Sequence, residues 1–352
     1  MITGPLSRLL TLSYNHHAMT SSLAASSPGL ASRLVNTLLA IKPLAKLAKQ
    51  RARAMMIDRA EAIGVPWREQ TQHLSSRGEA TALNPAFKPQ PNPEQHPALH
   101  PDWATDLAQL TNPTLTYPTY YITSFHGYDE GNLGWLPALE VESASRAVHA
   151  KIWPELGVEG DTKLRSLYHE TLTAQLPQAP DRILDLGCGA GLSTFALQAC
   201  FPSAHLTGLD LSPYFLAVAQ YQAQQRHHTM HWVHAAAENT GLPDQSFDFI
   251  SLCLVAHELP QTITQAIFQE AHRLLTPGGH LAIMDMNPSC EFVKKLPPYV
   301  LTLLKSTEPY LDQYFGLDLA TAAATAGLRT VHLSPNGPRH RTFIATKLPQ
   351  PQ

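Results

Sequence analysis

The sequence predicts an α/β protein: a doubly wound, seven-stranded, mostly parallel sheet behind a helical and irregular N-terminal region. Three observations carry this. From residue 182 onward, short apolar runs alternate with amphipathic stretches across tight turns. The run ILDLGCGAGLST (183–194) reads as a strand that ends in a glycine turn and opens a helix. FDFISLCLV (247–255) is apolar enough to be buried on both faces, as central parallel strands are.

The 352 residues are 44% hydrophobic and 15% charged, the profile of a globular chain with a sizeable core. No stretch holds 18 uncharged apolar residues in a row, so no spanning helix is expected, and a net charge of −3 gives no general pull toward nucleic acid. Cys188, Cys200, Cys253 and Cys290 show no paired spacing, which fits a reducing compartment. The expected location is cytoplasmic. Residues 1–35 read as a disordered or targeting-like leader: the first acid is Asp58, and before it the chain is rich in Ser and Thr with scattered Arg and Lys. That composition suits a plastid transit segment, a loosely ordered bacterial N-terminus or a start codon placed too early.

Residues 36–160 form an accessory region and 161–349 the α/β domain. A helix is expected over 43–63, where Leu44, Leu47, Ala48, Met55 and Ile63 share a face, Pro43 suits the first turn, and Gly64 and Pro66 stop it. Its other face carries Lys42, Lys46, Lys49, Arg53 and Arg59, which suits solvent or, through peripheral contact, an anionic membrane surface. Six prolines within 84–101 mark a linker or strap. Helices are expected over 135–153 and 161–176. The strands follow at 182–187, 204–211, 230–236, 247–255 and 280–286, with helices between them and a turn at Pro277-Gly278-Gly279. Ser212 and Pro213 are a good cap and first residue for the helix after the second strand. A helix near 317–326 and strands at 329–334 and 341–347 complete the sheet.

Gly187, Gly189 and Gly191 allow a sharp turn and a close ligand approach, but dinucleotide-binding chains place similar glycines there. Asp185 tips the balance. A carboxylate two residues before the turn repels a pyrophosphate and favours a cationic ligand such as S-adenosylmethionine, which has a sulfonium and an ammonium group and no phosphate. Asp210, ending the second strand, is placed to accept from ribose hydroxyls. The segments ILDLGCGAGLST, LTGLDLSP, AAAENTGLPDQSFDFI and RLLTPGGHLAIMD together resemble the ordered motifs of class I S-adenosylmethionine-dependent methyltransferases, a Rossmann-like family. The nearest likeness is to the type 11, ubiquinone- and menaquinone-biosynthesis group, over about 161–348. The resemblance implies that Asp185, Gly187, Gly189 and Gly191 hold the methionine end of the cofactor and Asp210 its ribose. It further implies that Leu211 packs on adenine, that the Ala237 backbone meets the adenine ring, and that Leu252 lines the methionine side. One departure is Ala236, where the family often has an acid for the adenine amino group; Glu238 stands two residues on.

Residues after the fourth strand face the transferred methyl in such a sheet. Here they are His257 and Glu258, read as a base for a hydroxyl and its orienting acid. The plainer reading is a turn packed by His257, with Glu258 at a helix start. HELPQ lacks the second histidine of a zinc helix at Gln261, and no metal is expected. SFHGYDEGNLGW (124–135) offers His126, Tyr128 and Trp135 as a substrate lid, or as an interdomain strap. The expected activity is methyl transfer to a small acceptor, aromatic, quinone-like or lipophilic. The alternative is a non-catalytic cofactor-binding protein that recruits a partner through its N-terminal region. Much of the chain before residue 160 resembles extensions on methyltransferase-like proteins of cyanobacteria and plastids.

Overall fold

The computed structural model describes residues 42–78, 98–124 and 127–349. The expected leader, most of the proline-rich run and His126 lie outside the described residues. Among these residues, four helices come first: α1 (Lys42–Ala62), α2 (Trp67–Ser75), α3 (Asp102–Leu110) and α4 (Trp135–His149). The α/β unit then runs α5 (Gly160–Gln175), β1 (Arg182–Leu186), α6 (Leu192–Cys200), β2 (His205–Asp210), α7 (Pro213–Gln225), β3 (His231–His234) and β4 (Phe247–Cys253). It continues with α8 (Gln261–Leu274), β5 (Leu275–Met286), α9 (Glu291–Lys294), α10 (Pro298–Thr307), α11 (Leu311–Phe315), α12 (Leu319–Thr325), β6 (Leu328–Asn336) and β7 (His340–Lys347).

The strand order is β3-β2-β1-β4-β5-β7-β6. β1 to β5 are parallel, and β7 runs antiparallel to both β5 and β6. The chain winds outward from β1 to β3, then returns to lay β4 on the other side of β1. That reversal opens a crevice beyond the carboxyl ends of β1 and β4, the usual ligand position in such sheets.

Alternation along the strands feeds two cores. Leu184, Leu186, Ile250 and Leu252 face Ile267 and Phe268 of α8 and Ala323 of α12. Ile183, Phe249, Ala282 and Met284 face Leu164, Tyr168 and Leu172 of α5 and Leu197 of α6. Ser212 caps α7 as expected, accepting from the Phe215 N–H. Two boundaries differ from the sequence reading by more than two residues. The expected helix over 135–153 ends at His149. β5 begins at Leu275, because Pro277-Gly278-Gly279 forms an irregularity within the strand, where the β4–β5 register shifts between Phe247 and Phe249.

The N-terminal helices wrap onto α7. Trp103 and Tyr221 meet edge to face, Trp135 and Tyr214 do the same, and the Arg77 guanidinium lies 4.1 Å from the Trp103 ring. Arg53, expected on the basic face of α1, turns inward to buried Glu140, which also accepts from the Tyr128 hydroxyl at 2.6 Å. No described helix is long and apolar enough to cross a membrane.

Candidate functional site

The glycine turn closes tightly over the end of β1. Gly187 has φ +66°, and a Cβ there would lie 2.8 Å from a γ carbon of Val255, the residue that follows β4 and Leu254. The crevice is thus walled on the β4 side by Val255. Leu252, expected on that wall, is fully buried in the core three residues earlier.

Asp185 lies beneath the turn rather than open to the crevice. It is 0% exposed and faces α6, where Ser193 and Thr194 donate their hydroxyls to its Oδ2 at 2.6 and 2.7 Å. Its Oδ1 is buried without a hydrogen-bond partner. Burial pushes the carboxyl up to about 6, against the two hydroxyls and the more distant Arg165. At neutral pH the group is ionised, a negative charge held just under the backbone N–H groups of the turn.

Asp210 ends β2 beside it. Its Oδ2 accepts from the Gly189 N–H at 2.8 Å, and its Oδ1 from the Ser212 N–H at 2.8 Å and the Tyr121 hydroxyl at 3.4 Å. Burial raises this carboxyl to about 6 as well, despite the two backbone donors. Two acids therefore flank one glycine turn, neither in a salt bridge among the described residues, and both favour a ligand that brings positive charge or hydroxyl donors.

Aromatic rings close the Asp210 side. Tyr117 and Tyr121 stack with centroids 6.4 Å apart. Tyr120 donates to both oxygens of Glu238, at 2.7 and 2.9 Å, so that acid is already engaged. His234 anchors the strap: its Nδ1 accepts from the Asn112 N–H at 2.8 Å, leaving Nε2–H for the Leu211 carbonyl at 3.0 Å. Leu211 is buried beside Ala235 and Ala236, and Ala237 is half-buried next to them. Tyr128 and Trp135, two of the three lid residues named from sequence, make hydrogen-bond and ring contacts elsewhere, and His126 lies outside the described residues. Tyr128 contacts Glu140 and Arg53, and Trp135 packs on Trp103 and Tyr214. Those are the contacts of a strap between the accessory helices and α7. The tyrosines that reach the crevice come from the start of the same aromatic-rich segment.

His257 and Glu258 sit on a 3-10 turn, Ala256–Glu258, after β4. His257 Nδ1 bonds Asp285 Oδ1 at 2.7 Å, and its backbone N–H bonds Asp285 Oδ2 at 3.2 Å. Asp285, near the end of β5, is 0% exposed. Burial works against the imidazolium, but Asp285, with Glu258 and Glu308 behind it, outweighs burial and raises the ring's pKa. Burial likewise opposes the Asp285 carboxylate, and His257 more than offsets it, so that carboxyl is lowered. The structure thus brings the cofactor candidates and His257 to one end of the sheet. Asp285, Val255, Tyr120 and Tyr121 were not singled out from sequence. For Asp285 a signal existed, since an acid ending an apolar strand is the feature that marked Asp185 and Asp210.

Residues 183–279 match a family described as a methyltransferase domain. The chain is 35% identical over 126 residues to the phthiotriol/phenolphthiotriol dimycocerosates methyltransferase of Mycobacterium leprae, covering 35% of this chain and 44% of that protein. It is 30% identical over 118 residues to a demethylmenaquinone methyltransferase of Listeria welshimeri, covering 33% and 49%. It is 29% identical over 184 residues to an uncharacterized methyltransferase of Synechocystis, covering 52% and 82%. The match thus spans about half the length of the first two relatives.

Proposed function

We propose, for a chain that belongs to the class I S-adenosylmethionine-dependent methyltransferases, that it methylates a lipophilic small molecule through an acceptor hydroxyl or the ring that bears it. The observation that carries the reading is the pair of buried carboxylates, Asp185 and Asp210, on the two sides of the glycine turn. The residues fit the cofactor: Asp185 Oδ1 has no partner in the protein, and a Cβ at Gly187 would collide with Val255, so the turn can hold its shape only as glycine. S-adenosylmethionine, when bound, supplies a methyl carbon on a sulfonium sulfur, which departs with the bond's electron pair as the acceptor atom bonds to the carbon.

The chain's own part is binding, orientation and exclusion of water. Asp210 accepts from the ribose hydroxyls in place of the long Tyr121 contact. The Asp185 charge, beneath the turn, favours the cationic methionine end. Tyr117, Tyr120 and Tyr121 cover the Asp210 side with apolar ring surface, and His257, held by Asp285, stands on the acceptor side. The acceptor class is supported by those rings and by two relatives named as methyltransferases of demethylmenaquinone and of phthiotriol/phenolphthiotriol dimycocerosates.

The purified protein, incubated with methyl-labelled cofactor and an organic extract of its source cells, is expected to yield a labelled lipophilic product. Asp210→Ala is expected to yield none. A wild-type protein that binds the cofactor yet labels nothing in the extract would instead be a non-catalytic binder.

A further inference from the structure

Four ionisable side chains crowd the acceptor side of the crevice, and the proposed methyl transfer uses only His257 and the Asp285 that holds it. His257 and Glu258 come from the turn after β4, and Glu308 follows α10. One ligand-competent atom from each of these three lies within 4.8 Å of the others, the one such group among the described residues. The cluster is set into the surface: Glu308 is 7% exposed, the His257 side chain 13% exposed, and Glu258 half-buried.

The second observation concerns the imidazole. Fully buried Asp285 takes its Nδ1 at 2.7 Å and fixes the backbone of the same residue through its other oxygen at 3.2 Å. Metal-binding histidines are held in this way, with a carboxylate on one ring nitrogen orienting the other toward the ion. Here Nδ1 is taken, so Nε2 is the nitrogen left for the cluster. The end of β5 that carries Asp285 is braced in turn, since the Tyr314 hydroxyl donates to the Met286 carbonyl at 2.8 Å.

We propose that His257, Glu258 and Glu308 form a divalent-cation site, oriented by Asp285, that holds the oxygen of the methyl acceptor. One imidazole and two carboxylates suit Mn²⁺ or Zn²⁺ better than Mg²⁺ or Ca²⁺, which prefer oxygen alone. Ligands about 2.1 Å from a tetrahedral ion stand about 3.4 Å apart, so the atoms, now within 4.8 Å of one another, draw in by about an ångström when the ion binds. Three protein ligands leave positions open. An acceptor with one oxygen, or two adjacent ones as in a catechol or hydroxyquinone, would fill them. Binding of the ion displaces the proton on Nε2. The coordinated acceptor hydroxyl loses its proton to solvent, as water does on a bound cation. Its oxygen then forms the bond to the methyl carbon while the carbon–sulfur bond breaks toward sulfur. HELPQ hides the site from a sequence search, because the third ligand lies 50 positions beyond Glu258.

This rests on the methyltransferase reading, and the test separates the two. Chelator-stripped protein is titrated with Mn²⁺, and free Mn²⁺ is read from its electron paramagnetic resonance signal. Wild type is expected to take up one Mn²⁺ per chain, and Zn²⁺ is expected to compete. His257→Ala and the near-isosteric Glu308→Gln are each expected to weaken uptake by at least about tenfold, with unchanged S-adenosylmethionine binding by calorimetry and unchanged circular dichroism. No saturable uptake by folded wild type, or equal uptake in both variants, overturns the site. Methyl transfer that proceeds at full rate in excess chelator also overturns it, while leaving the methyltransferase reading standing.

Discussion

Asp185→Asn is expected to raise the thermal unfolding midpoint of the ligand-free protein at pH 8 while weakening S-adenosylmethionine binding about tenfold, a loss of ~1.4 kcal/mol. The reasoning is linkage. Burial lifts the folded-state carboxyl from 3.8 to about 6. The native state therefore holds more protons than the unfolded chain across that window, and stability falls as pH rises through it. Above pH 6 the full penalty applies, about two pKa units or ~3 kcal/mol. Asparagine keeps an acceptor for Ser193 and Thr194 and removes the charge, so the penalty disappears. For a chain of this size ~3 kcal/mol is worth several degrees. The gain shrinks to about half at pH 5 and is gone below the unfolded value. Melting curves at pH 8 and pH 5, with calorimetric titration of cofactor into both proteins, check it. A midpoint lowered by the substitution at pH 8 would mean that the carboxylate stabilises the fold and is not held there for a ligand.

Gly187→Ala is expected to cost ~2–5 kcal/mol of folding stability. About 1–2 comes from placing a Cβ on a left-handed residue at φ +66°. About 1–3 more comes from overpacking, since that Cβ would stand 2.8 and 2.9 Å from the two γ carbons of Val255, which the end of β4 holds in place. Gly189→Ala is the control. Its φ of +53° carries the same backbone cost, but the nearest atom is Phe215 Cδ1 at an ordinary 3.6 Å, so ~1–2 kcal/mol is expected. Denaturant unfolding of both variants measures the difference. Equal losses would mean that Val255 yields and that the crevice is not walled as described.

The sheet was legible because its signal is local. Alternating apolar runs, glycine turns and the Ser212-Pro213 cap each lie within a few residues, and all seven strands follow from them. Five of the described helices escaped, α2, α3, α9, α10 and α11, and in two of them the local pattern itself misleads. α3 starts at Asp102, directly after a proline-rich run that reads as linker, and α10 starts at the second of two prolines. α3 is held by tertiary packing, as Trp103 shows by inserting between Arg77, Trp135 and Tyr221. The same division holds at the site. Asp185, Asp210 and the glycines share short motifs with their turn. Asp285 beside His257, Val255 beside Gly187 and Tyr121 beside Asp210 are meetings of distant segments, which no spacing announces. Sequence also named Asp185 for the right stretch of chain but not its direction: the pleat that sends Leu184 and Leu186 to one core sends Asp185 toward α6.

Negative charge around the glycine turn should select a cationic adenosyl ligand over one that carries a diphosphate. The most direct measurement is calorimetric titration of the wild-type protein with S-adenosylmethionine and, separately, with NAD at pH 7.5. Saturable binding of S-adenosylmethionine in the micromolar range, at least about a hundredfold tighter than NAD, is the expected result. NAD binding as tightly as the sulfonium compound would contradict it.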